Sequence, residues 1–172
     1  PMMKDNFNTG ASQLNNNKIP VFSPLTKTVN LGDNVFQSRP SEDMLEDAII
    51  NYFKKDSTAH VIIISDKKHK SISDKLKREF TRASILSSRT ERKTGKDAYY
   101  VLDQDIINVL KPGKNVVFLE TDNPGFVSNV SSLLNSKIVT GTNIILTTTK
   151  MDKAFEDEEV RNTHLSNLSF TY

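Results

Sequence analysis

The sequence predicts an α/β fold, doubly wound, with a mostly parallel sheet and helices on both faces. Two observations carry this. Val61-Ile62-Ile63-Ile64 and Val116-Val117-Phe118-Leu119 are unbroken apolar runs of strand length, the pattern of strands buried on both faces. Each is followed by a polar turn and then by apolar residues at helical spacing, so strands and helices alternate from 61 to 146.

The elements follow in order. Met3, Phe7, Ala11 and Leu14 form one stripe of a helix over 2–17, which ends in Asn15-Asn16-Asn17. Ile19 to Phe22 is a short strand with Ser23-Pro24-Leu25-Thr26 as its end loop, and Val35-Phe36-Gln37 is extended. Ser41 caps a helix whose first turn carries Glu42 and Asp43, where negative charge suits the dipole. Its expected buried stripe is Met44, Leu45, Ala48, Ile49, Tyr52 and Phe53. The 61–64 strand leads into Ser65-Asp66-Lys67-Lys68 and a helix over 71–80. Ser84-Ile85-Leu86 is a weaker strand, a basic loop spans 89–97, and a short helix runs from Gln104 to Leu110. After the 116–119 strand, Asn123 or Asp122 caps a helix with Pro124 in its first turn and Phe126, Val127, Val130, Leu133 and Leu134 on one face. Ile144-Ile145-Leu146 is another buried strand ending in Thr147-Thr148-Thr149. Helical turns near Phe155 and a last strand with Leu168, Phe170 and Tyr172 complete the chain.

The totals set bounds on function. With 172 residues, 36% hydrophobic and 26% charged, the chain has the composition of a folded domain. It has no cysteine, which excludes disulfides, a thiol nucleophile and thiolate metal sites. No apolar run approaches the roughly 20 residues needed to span a bilayer. Residues 67–96 hold eleven of the 23 basic residues. The interleaved Ile72, Leu76 and Phe80 have helical spacing, and stacking aromatics are missing, so these charges solvate an outer face rather than bind nucleic acid.

Motifs for catalysis are weak. Ser65 to Lys68 matches S-x-x-K and Lys93-Thr94-Gly95 matches K-T-G, but the partner S-D-N loop of acyl-transfer enzymes is absent. His60, His69 and His164 lack metal-ligand spacing, and no phosphate-cradling glycine motif is present. Glu120 and Asp122 could form a carboxylate pair, although two residues apart in a loop they suit capping better. Ser23–Thr26, Ser65–Lys68, Glu120–Asn123 and Thr147–Thr149 remain: strand-end loops that line the ligand crevice of a parallel sheet, or simply the polar turns any such sheet has.

The run Ile19 to Thr26, then Asn34-Val35-Phe36-Gln37-Ser38-Arg39-Pro40-Ser41, then His60 to Asp66 resembles type I periplasmic-binding proteins of the leucine-binding, extracellular ligand-receptor kind. It is most similar to the variant associated with peptidoglycan-binding LysM repeats in Bacteroidetes envelope proteins. In that family two α/β lobes close over a small ligand. The resemblance implies that 1–38 is a remnant of the first lobe, 39–165 the second lobe, and 166–172 a strand crossing back, in a chain cut at both ends. It implies a non-catalytic domain of the periplasm or cell envelope that binds an amino acid, peptide or cell-wall fragment and needs no cofactor or metal. Ser23 and Thr26 would hold the ligand from the first lobe. Asp66, Lys67, Glu120, Thr121, Asp122, Asn123 and Thr147 would hold it from the second. Where the family often has Tyr-Gly after the aspartate, Lys67-Lys68-His69 stands here. That departure supports the alternative of an envelope scaffold or interaction domain with a degenerate cleft. Peptidoglycan association would come through other domains of the parent. The 1–38 segment, lacking neighbours for its apolar stripe, is expected to pack on the lobe, swap between chains or form a homodimer.

Overall fold

The computed structural model describes residues 9–11, 13–14, 19–23, 33–38, 40–138 and 142–172. The chain divides into two compact units, Pro1–Asp47 and Ala48–Tyr172.

In the first unit, β1 (Val21–Ser23) pairs in parallel with β2 (Val35–Gln37). Helical residues around Ala11 are present as expected, and Ala11 packs with Val35 and Val21. Met3, Phe7 and Thr26 lie outside the described residues. The stacked rings of Phe22 and Phe36, 5.3 Å apart, stay 66% and 49% exposed.

Helix α1 (Glu42–Lys54) begins in the first unit and ends in the second. Ser41 caps it as expected, its Oγ accepting from Met44 N at 3.2 Å. Its buried stripe differs from the expected one. Ile49, Ile50 and Phe53 are buried, whereas Met44, Leu45 and Tyr52 are exposed. Burial on this helix therefore follows a face about one residue away from the one the apolar pattern suggested.

The second unit holds a four-stranded sheet of order β4-β3-β5-β6, every pairing parallel. The strands are β3 (His60–Ser65), β4 (Ser84–Ser87), β5 (Gly113–Glu120) and β6 (Thr142–Thr147). The helices are α2 (Lys70–Glu79), α3 (Asp103–Val109), α4 (Pro124–Ser136) and α5 (Asn162–Asn167), with a single 3-10 turn at Lys153–Phe155.

Strand alternation builds two cores. Val61, Ile63, Val116 and Phe118 point to one face, where they meet Ile49, Ile50 and Phe53 of α1 and Leu76 of α2. Ile62, Ile64, Val117 and Leu119 point to the other, against Ile106 of α3, Phe126, Val130 and Leu134 of α4, and Phe155. This is the doubly wound α/β arrangement that unbroken apolar strands require. Phe118, fully buried, meets Phe53 edge-on at 5.6 Å and Phe80 at 5.4 Å.

The last strand is reduced to one bridge and the backbone hydrogen bonds from Leu146 N to Leu168 O and from Thr171 N to Leu146 O. Leu168 caps the C-terminal end of α5, Ser169 adopts φ +48°, and Thr171 bridges in parallel to Thr147. A short helix at 162–167, to which the sequence reading assigned no element before 166, overlaps the start of the expected 166–172 strand. Among the described residues no helix is long and apolar enough to cross a membrane.

Candidate functional site

Parallel pairing brings the C-terminal ends of β3, β5 and β6 to one edge, with Ser65 opposite Glu120 and Phe118 opposite Thr147. The loops that follow carry most of the predicted site residues. Ser23, by contrast, belongs to the first unit, where it is buried and its carbonyl accepts from Ser38 N at 3.2 Å and Ser38 Oγ at 3.0 Å.

Asp66 follows β3 and its carboxylate is fully buried. Oδ1 accepts from His69 N at 2.9 Å and lies 2.7 Å from His69 Nδ1, while Oδ2 accepts from Thr121 Oγ1 at 2.6 Å. An ionised carboxylate can only accept, so the His69 tautomer that would complete this contact to it carries its proton on Nδ1. Burying a charge demands such donors.

Glu120 ends β5 and is also buried. Oε1 accepts from Thr149 N and Oε2 from Thr149 Oγ1, both at 2.8 Å, which ties the loop after β6 to β5. Thr147 is buried and its hydroxyl donates to Thr171 O at 2.6 Å. Asn123 caps α4 through Oδ1, which accepts from Phe126 N at 2.9 Å, and its own N–H donates to Thr121 Oγ1 at 3.1 Å. Glu120, Thr121, Asn123 and Thr147 thus build the edge from within.

The outward groups are different. Lys68 Nζ pairs with Asp122 Oδ2, with side chains 66% and 33% exposed. The Lys68 hydrogen bond holds the Asp122 carboxyl below its ordinary range, against a smaller opposing effect of burial. The same bond, with the charge of Asp122, raises the Lys68 ammonium against a smaller effect of burial, and the nearby Asp66 adds to the rise.

A hairpin-like loop holds the neighbouring Lys67. Thr90 bridges antiparallel to Asp97, and Gly95 sits at φ +68° in the turn. The K-T-G sequence is therefore a turn, with glycine where a left-handed residue is needed. Lys67 N donates to Asp97 Oδ2 at 2.7 Å and Lys67 Nζ to Gly95 O at 2.8 Å. Ser88 Oγ donates to Asp97 Oδ1. Arg89 forks onto Asp105 at 2.6–3.0 Å, a bond that lowers the Asp105 carboxyl. Just beyond Asp97, Tyr99 takes φ +51° while 36% exposed, a strained conformation for a bulky side chain.

The sequence did not single out Asp97 or Tyr99. Gly95 was the available signal for a turn that folds 97–100 back, but the 30-residue separation between Lys67 and Asp97 hides their contact.

Asp66, His69 and Asp122 each offer a ligand atom within 4.8 Å of the others, a spacing that could hold a metal ion. In this arrangement Asp122 is neutralised by Lys68 and Asp66 is bonded to His69 and Thr121, so a cation would have to displace the ammonium.

Chemically, the edge offers an exposed ammonium–carboxylate pair on a base of internally bonded carboxylates. Comparison of the sequence with protein-family models and with curated proteins finds no match.

Proposed function

We propose that this chain is a non-catalytic domain that binds a small polar ligand, an amino acid, peptide or cell-wall fragment, at the strand-end edge of its second unit. The setting would be a cell-envelope protein of the type I periplasmic-binding kind. The observation that carries the reading is the exposed Lys68–Asp122 pair at the strand-end edge. A zwitterion can exchange its own ammonium and carboxylate into such a pair without leaving either charge unpaired. General acid–base work, by contrast, needs a carboxylate open to substrate. Asp66 and Glu120 accept from His69, Thr121 and Thr149 instead.

One observation favours a second reading, an interaction domain with a closed cleft. Lys67, Lys68 and His69 are all tied down, to Asp97 and Gly95, to Asp122, and to Asp66. Calorimetry with amino acids, short peptides and muropeptides separates the two. Saturable heat that disappears in Lys68→Met supports ligand binding; no heat from a folded protein favours the interaction domain. Homodimerisation through the 1–38 segment belongs to either reading, supported by the exposed Phe22–Phe36 stack.

A further inference from the structure

A second concavity lies beyond β6, between the 3-10 turn and α5. Its volume is about 560 Å³, within the usual size of small-molecule sites, and its walls include Met151, Phe155, Glu156, Leu165, Phe170 and Tyr172. Three aromatic rings rise from the core to the surface along it. Phe155 is buried and stacks on Phe170 with centroids 5.1 Å apart and planes 11° apart. Phe170 meets Tyr172 at 5.8 Å, and Tyr172 is 67% exposed. Ser169, at φ +48°, turns the chain so that Phe170 and Tyr172 line the same hollow. That backbone position disfavours any residue but glycine, asparagine or aspartate, so the aromatic wall is formed at a cost in strain.

Glu156 is the single charged residue among the described lining, and Asp157, Glu158 and Glu159 follow it in sequence. No Lys, Arg or His is among the described lining residues, so the wall offers an anion no counter-charge. A wholly apolar guest would desolvate the Glu156 carboxylate without replacing its water. One carboxylate is also too few for a divalent metal. An organic cation answers each term: its alkyl groups rest on aromatic faces that carry negative potential, and its charge faces the carboxylate.

We propose that this cavity binds an organic ammonium ion against Phe170 and Tyr172, with Glu156 as its counter-charge. The site shares none of its lining residues with the Lys68–Asp122 edge and stands or falls separately. The test is a two-dimensional NMR titration of the protein with choline and with 3,3-dimethyl-1-butanol, its uncharged carbon isostere. Choline should shift the amides of 155–156 and 165–172 saturably and bind roughly fivefold or more tighter than the isostere. Glu156→Gln should weaken choline while leaving the isostere's affinity unchanged, and Tyr172→Ala should weaken both, with the rest of each spectrum unchanged. Equal affinity for the two compounds, shifts centred elsewhere, or no shifts from the folded protein overturns the proposal. So does glucose moving these amides where choline does not.

Discussion

Thr121 Oγ1 donates to Asp66 Oδ2 at 2.6 Å, joining the ends of two adjacent parallel strands through a buried carboxylate. Replacing Thr121 by Val keeps the shape and removes the donor, leaving that oxygen buried without it. The expected loss is about 1–3 kcal/mol by urea unfolding, with Thr121→Ser close to wild type. Equal losses in the two variants would assign the effect to packing rather than to the hydrogen bond.

His60 opens β3, with Nε2 3.1 Å from Ser84 Oγ and 3.2 Å from Val109 O. Burial, and after it the charge of Lys111, lowers its ionisation below the ordinary 6.5. The folded state therefore holds its proton less tightly than the unfolded state. The resulting stability is complete above the unfolded value and is lost as pH falls through the folded one. Urea unfolding between pH 7.5 and 5 should show stability declining toward acid, and His60→Gln should flatten that slope. An unchanged slope would remove His60 from the account.

Tyr99 pairs strain with exposure, so stability and binding should respond in opposite directions. Tyr99→Asn, which tolerates the left-handed region, should leave stability unchanged or raise it by up to about 1 kcal/mol. Affinity for a ligand held at Lys68–Asp122 should fall in the same variant. A marked loss of stability would make Tyr99 a packing residue instead.

The exposed Phe22–Phe36 stack predicts self-association. Light scattering should give a dimer mass at micromolar concentration, falling toward the monomer in Phe22→Ser with Phe36→Ser. A strict monomer from the unaltered chain contradicts it.

These predictions rest on parts of the molecule that the sequence disclosed unequally. The strands were legible because Ile62 to Ile64 and Val116 to Leu119 are apolar at every position, a pattern only two-sided burial rationalises. The cap at Asn123 and the start of α4 at Pro124 were legible from local chemistry. The face of α1 was not, because Met44, Leu45 and Tyr52 are apolar yet exposed, and large apolar residues are not obliged to be inside. The last strand failed where Ser169 turns left-handed, which no residue type announces. At the edge, the loops were legible as loops. Which groups face outward was not, since Glu120 and Thr147 are turned inward by contacts with Thr149 and Thr171 more than twenty residues away.

The central claim is that the Lys68–Asp122 pair receives a ligand. It is tested most directly by titrating glycine, a dipeptide and a muropeptide into labelled protein and following the amides of Lys68, Tyr99 and Asp122. Saturable shifts are expected at these three with at least one compound, abolished in Asp122→Asn with the remaining spectrum intact. A folded protein whose signals at Lys68, Tyr99 and Asp122 stay fixed with all three compounds would contradict it.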